Sequence, residues 1–204
     1  MTKLTMVDLK ILFLGINKEG TFDEKDIEES DLKKLGVGRI LDQLASLKER
    51  GLIEMNKNGS FSITSSAKQI LWDDEIPLWV KILRVLEIKS QNIKTVASFL
   101  LVSDDQVKEE IEDLRKRHLL LMSPLRKETG LEKFYEILPE GIEIIEKFQK
   151  GGFKDKPQIK DPQIEILPIL DQTIKEIQDM QEISNDKKQN IIENLLKIKE
   201  KLQI

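Results

Sequence analysis

The residues Ile40 to Met55 lie over Val107 to Met122 without a gap, and no other feature constrains the fold as strongly. A chain that repeats a whole run of elements builds the same supersecondary unit twice. The overlay pairs Leu44 with Ile111, Leu47 with Leu114, Arg50 with Arg117, Leu52 with Leu119 and Met55 with Met122. Apolar positions fall at helical spacing in both copies. Each helix then enters a short apolar run, Leu52-Ile53 or Leu119-Leu120-Leu121, that reads as a buried strand. Gly51 stands where a left-handed helix end belongs, and His118 takes the same place in the second copy. An imidazole beside a helix C-terminus suits the dipole there. With no second histidine and no cysteine to share its chemistry, His118 reads as structural.

The copies continue alike. A polar turn and a second strand follow, Asn56-Lys57-Asn58-Gly59 then Phe61-Ser62-Ile63, and Arg126-Lys127-Glu128-Thr129-Gly130 then Phe134-Tyr135-Glu136-Ile137. Asn58-Gly59 is the sharper hairpin signal, since both residues tolerate positive φ. Aligning Ile63 with Ile137 makes the second hairpin the longer. A short helix follows each hairpin, Ser65 to Leu71 and Glu140 to Ile145. Upstream stand an apolar helix (Val7 to Ile16; Leu78 to Ile88) and a short second helix (Asp23 to Glu29; Ile93 to Leu101).

This pattern resembles the winged helix-turn-helix superfamily, twice in tandem, over about residues 4 to 150. The carrying residues are Leu47-Lys48-Glu49-Arg50-Gly51-Leu52-Ile53 and Leu114-Arg115-Lys116-Arg117-His118-Leu119-Leu120, which look like the family's exit from the recognition helix. Tyr135-Glu136-Ile137-Leu138-Pro139-Glu140-Gly141 looks like its exit from the wing. The expected fold class is α+β, mainly α with small β-hairpins. The expected domains are winged helices at 1–72 and 73–152, a linker at 153–168 and a C-terminal helical, coiled-coil segment at 169–204. The family's fold serves transcription factors, chromosome-associated proteins and protein-only adaptors alike, so function must come from the site.

In a DNA-reading winged helix the third helix enters the major groove while the wing touches phosphate or minor groove. In copy one the residues expected to face solvent include Lys33, Lys34, Gly38, Arg39, Asp42, Gln43, Ser46 and Lys48. Arg39 can pair with guanine and Gln43 with adenine, with Ser46 beside them; Lys33, Lys34 and Lys57 can hold phosphates. In copy two the third helix carries Asp104, Asp105, Glu109, Glu110, Glu112 and Asp113 against Lys108 alone, and carboxylates repel phosphate. The basic residues there cluster at the helix end and wing: Arg115, Lys116, Arg117, Arg126, Lys127 and Lys133. Residues 1–72 hold 11 basic and 11 acidic side chains, 73–152 hold 13 and 16, and 153–204 hold 9 and 10, so no segment is basic overall. DNA affinity would therefore come from local patches and not from the net charge of −4.

Composition removes other classes. Absence of cysteine excludes disulfides and thiolate chemistry, and one histidine makes a zinc site improbable, so neither metal nor cofactor is expected. Gly36-Val37-Gly38 is a lone G-x-G without a preceding strand, which is no phosphate loop, and an enzyme is not expected. No apolar run approaches a membrane span and the N-terminus lacks a signal-peptide layout; the expected location is cytoplasmic. Trp72 and Trp79 bracket Asp73-Asp74-Glu75 at the junction between copies and read as inter-domain packing.

Gly151-Gly152 to Pro157 and Asp161-Pro162 punctuate the chain before the tail. Leu170, Ile174 and Ile177 keep a four-then-three spacing whose register, carried through Gln181, Ser184 and Lys188, meets Ile191, Leu195, Ile198 and Leu202 in phase. The tail is either one long helix or two that break near Ser184-Asn185-Asp186, and its apolar stripe is expected to pair two chains as a homodimer. Double-stranded DNA is the leading partner. The alternative is a protein scaffold, as in the ScpB-like segregation subunits and the ESCRT-II subunits that this acidic pattern resembles, with the partner on the face Asp104 to Asp113.

Overall fold

The computed structural model describes residues 3–127, 130–151, 172–175, 177 and 185–202. It divides into two compact units, Met1–Lys156 and Pro157–Ile204. The architecture is α+β: mainly helical, with small antiparallel sheets.

The first unit opens with α1 (Met6–Asn17), fixed at its start by a capping box in which Thr5 and Asp8 each take the other's backbone N–H. There follow β1 (Thr21–Phe22), α2 (Glu24–Glu29), a 3-10 helix (Asp31–Leu35) and α3 (Val37–Glu49). Then come β2 (Ile53–Met55), β3 (Phe61–Ile63) and α4 (Ser65–Leu71). The order runs again through α5 (Leu78–Ile88), α6 (Ile93–Leu100), α7 (Asp104–Lys116), β4 (Leu120–Lys127), β5 (Gly130–Ile137) and α8 (Pro139–Gln149).

The overlaid helices α3 and α7 match in their buried stripes and in how they end. α3 buries Ile40, Leu44 and Leu47, and α7 buries Val107, Ile111 and Leu114 at the matching places. Both helices end in the same left-handed turn, with Gly51 at φ 70° and His118 at φ 56°. The Leu52 N–H donates to the Leu47 carbonyl at 2.9 Å and the Leu119 N–H to Leu114 at 3.0 Å. Inside these lie Gly51 to Lys48 and His118 to Arg115, each at 2.9 Å, which completes a Schellman motif twice.

Four details differ from the sequence expectation. β1 pairs with β3, giving a three-stranded sheet in the order β1-β3-β2, and an isolated bridge from Gln91 to Tyr135 does the same work in the second half. Two-residue pairings lie below what a period-two pattern can signal. The 3-10 helix before α3 is also new; the corresponding link in the second half is only Leu101, Val102 and Ser103, with Leu101 at φ 57°. In the first hairpin only Gly59 has positive φ, and the Asn56 carbonyl accepts from its N–H at 3.0 Å, so the loop is a type I turn closed by a left-handed glycine. In the second hairpin Arg126 and Lys127 are not in the turn but in β4, opposite Leu131 and Gly130.

The halves of this unit are joined by specific contacts. Trp72 donates its indole N–H to the Phe99 carbonyl at 2.8 Å, and Phe13 meets the Phe99 ring edge-on at 5.2 Å. Arg84 of α5 donates to the Ile70 carbonyl at 2.5 Å, in the last turn of α4. Trp79 is buried and packs edge-on against Phe148 of α8 at 5.9 Å. Trp72 therefore packs across the junction as expected, whereas the ring contact of Trp79 lies inside the second half, against α8.

In the second unit, residues 172–175 and 177 are helical, and so is α9 (Asn185–Leu202). Ile174 and Ile177 lie on the first helical stretch; Ile191, Leu195, Ile198 and Leu202 lie on α9. Leu170, the linker 153–168 and the side chains of Ile198 and Leu202 lie outside the described residues. So does 178–184, where the one-helix and two-helix readings part. No described helix is long and apolar enough to cross a membrane.

Candidate nucleic-acid interface

The face of α3 opposite its buried stripe starts at its first turn. Arg39 is exposed there, as are Lys33 and Lys34 on the 3-10 helix that leads in. Lys34 is held by Asp31 at 2.8 Å, and this hydrogen bond raises the lysine pKa and lowers the carboxyl's. Among the described residues no ion pair engages Lys33 or Arg39. Lys57 is exposed in the loop joining β2 to β3, on a different element from the α3 residues. α3 also exposes bare hydrocarbon on another side: Val37 is 72% and Leu41 59% exposed, four residues apart and so neighbours of each other, but each two residues from Arg39 and so turned away from it.

Gln43 departs from expectation. It is half-buried, and its amide donates to the carboxylate of Asp8, so it is not a free reader of adenine. Asp8 is wholly buried on α1 and gathers donors: the Thr5 N–H at 2.8 Å, the Gln43 amide and the Arg50 guanidinium at 2.7 Å. A buried carboxylate is tolerated only when its lone pairs are filled this way. The set ties α1 to the middle and the C-terminal end of α3. Ser46 is half-buried, and its carbonyl accepts from Arg50 Nε at 3.3 Å. Nothing local in the sequence signals this cluster, because Asp8 looks like an ordinary first-turn acid of α1.

The second half is organised differently. The position matching Asp8 is Trp79: Asp8, Leu9, Ile11, Leu12 and Gly15 of α1 overlie Trp79, Val80, Ile82, Leu83 and Leu86 of α5 in the buried pattern. Without that carboxylate, Arg117 turns to Asp113 at 3.0 Å, and Arg115 pairs with Glu112 at 2.8 Å. Two of the basic residues at the end of α7 are thus occupied by its own acids. Asp104, Asp105 and Glu109 remain exposed, while Glu110, Glu112 and Asp113 are half-buried.

The long hairpin brings two of its basic residues together. Arg126 sits opposite Leu131 and Lys133 opposite Pro124, which places both on one face as diagonal neighbours, and both are exposed. The side chain of Lys127 lies outside the described residues. Tyr135, nearer the base of the first face, is buried. Burial raises its phenol pKa, Glu112 raises it further, and Arg115 opposes them. Among the described residues no group of three His, Asp or Glu side chains is placed to hold a metal ion.

No protein-family model and no curated protein matches the chain. Among solved structures, it is similar to Bacillus subtilis PadR in complex with operator DNA at 14% identity and a TM-score of 0.34, covering 62% of this chain and 92% of that one. It is similar also to a mutant of MepR from a multidrug resistant S. aureus clinical isolate, at 16% identity and a TM-score of 0.33, covering 82% of this chain and 99% of that one.

Proposed function

We propose that the chain is a tandem winged-helix DNA-binding regulator, with domains at 1–72 and 73–152 and with α3 of the first as its reading element. The observation that carries this is the exposed cluster Lys33, Lys34 and Arg39 where the 3-10 helix meets α3, on the face left free by the buried stripe. Arg39 reads a guanine edge, and Lys33 and Lys34 hold phosphates. Gln43 supports the helix through Asp8 and does not read bases. The second domain contributes through Arg126 and Lys133 on its wing, since the carboxylates of α7 exclude it from the groove. The tail, through Ile174, Ile177, Ile191 and Leu195, pairs two chains, bringing two copies of α3 to one duplex.

Binding to a mixed pool of duplexes across a salt series tests this. Affinity should fall steeply with salt, and the slope should shallow when Lys33 and Lys34 become Gln. Arg39→Glu should abolish selection of any preferred sequence. Absence of binding at low salt, or an Arg39→Glu variant that binds as before, would overturn the reading. Sedimentation equilibrium of the full chain against Leu195→Asp tests the pairing separately.

A second reading rests on the exposed Val37 and Leu41 together with the acids of α7: a scaffold gripping a basic, apolar protein segment. Charge reversal at Asp104, Asp105 and Glu109 separates the two, because it should weaken a protein partner and strengthen DNA.

A further inference from the structure

A cleft of about 770 Å³ lies between the two halves of the first unit, within the size range of small-molecule sites. One wall is Leu4, Leu52 and Ile70; the other is Ile88, Ile142 and Ile145. The hydrocarbon is aliphatic throughout, with no aromatic ring in the lining.

Three cationic side chains also line it, and two have carboxylate partners: Lys3 meets Glu87 at 3.0 Å and Arg50 meets Asp8 at 2.7 Å. Arg84 does not. Its Nη1 donates only to neutral acceptors, the carbonyls of Ile70 at 2.5 Å and Gln69 at 3.4 Å. Its Nε is buried without a hydrogen-bond partner. Burial depresses the guanidinium pKa from its ordinary value, with Glu87 opposing, yet an arginine keeps its proton. The Nε is sealed from solvent, so an anion in the cleft meets Arg84 only where the side chain lines it, and a bond to a guanidinium with no carboxylate partner is charge-assisted and strong.

We propose that this cleft binds a small aliphatic carboxylate, its oxygens on Arg84 and its hydrocarbon along the Leu and Ile walls. The class follows from the lining: a cation without a carboxylate partner selects the anion, and ring-free walls of branched alkyl groups select a chain. Occupancy also bridges the halves, since the walls come from both. Binding here does not depend on what α3 touches.

Calorimetric titration of the full chain with octanoate, octanol and octylamine, all below any micellar range, tests it. Octanoate should bind about tenfold or more tighter than octanol, as a charge-assisted hydrogen bond implies, and octylamine no tighter than octanol. Butanoate should bind more weakly, by about three- to fourfold for each methylene lost. Arg84→Gln should erase the preference for octanoate over octanol. Because Arg84 also holds the end of α4, Ser66→Trp provides a second variant: Ser66 is exposed on the lining, and an indole there should block both ligands. Equal binding of octanoate and octanol, tighter binding of octylamine, no saturable octanoate binding, or octanoate affinity unchanged in Ser66→Trp would each overturn the proposal.

Discussion

His118 occupies a backbone conformation that its side chain disfavours. It stands at φ 56° where the first half has Gly51 at φ 70°. A Cβ in the left-handed region costs roughly 1–2 kcal/mol, and the exposed imidazole has no described contact to offset it. His118→Gly should therefore stabilise the protein by about 0.5–1 kcal/mol, after allowing for the greater freedom of glycine in the unfolded chain. Gly51→Ala should do the reverse by a similar amount; urea unfolding of both variants checks the pair. The overlay of Gly51 on His118 was readable in the sequence because a helix end has a fixed length from its last buried residue. Tyr135 is the chain's one tyrosine, so a spectroscopic titration of tyrosinate reports it alone. Its folded pKa lies above the ordinary phenol value, so the ionisation should fall late. Stability should be complete below the ordinary value and drain away as pH rises through the folded one, since the unfolded phenol ionises first. Glu112→Gln should move the midpoint down, and a midpoint at or below the ordinary phenol value would refute the burial.

At the scale of elements, the two hairpin-to-helix corners show how alike and how unlike the halves are. Ala67 of α4 is fully buried at the place where α8 has Gly141. A Cβ on Gly141 would lie 2.9 Å from the Leu119 carbonyl oxygen and 2.7 Å from Ile137 Cγ1. Backbone cannot yield as a side chain can, so Gly141→Ala should cost about 1–3 kcal/mol, measured as a drop in the midpoint of denaturant unfolding without change of slope. A stabilised or neutral variant would show that the corner is looser than described. Helices α3, α5, α6 and α7 were readable because each buries a clean stripe at helical period. β1, the Gln91 bridge and the 3-10 helix were not, because each is made by partners distant in sequence or by too few residues to carry a period. The Asp8 cluster was missed for the same reason: Gln43 and Arg50 are some 35 and 42 residues away from it, and nothing local distinguishes that aspartate.

For the first unit as a whole, the junction decides how it unfolds. The indole of Trp72, the Phe13 and Phe99 edge contact and the reach of Arg84 to α4 join what the sequence divides. The repeat showed that there are two halves; it could not show how tightly they are held, because that depends on side chains unique to each. Single-tryptophan variants Trp72→Phe and Trp79→Phe place the remaining reporter at the junction or under α8. Their denaturation curves should coincide with each other's far-ultraviolet transition in a single cooperative step. Two separated transitions would mean that the halves melt independently.

The exchange of Asp8 for Trp79 reaches furthest. At matching places in their first helices, one half keeps a carboxylate saturated by an amide and a guanidinium, and the other keeps an indole edge-on to Phe148. Each first helix is therefore fitted to its own half. Exchanging the two first helices alone would set a buried acid against the ring of Phe148 and strand Arg50 beside an indole. The two helices are not interchangeable, although their buried patterns overlie.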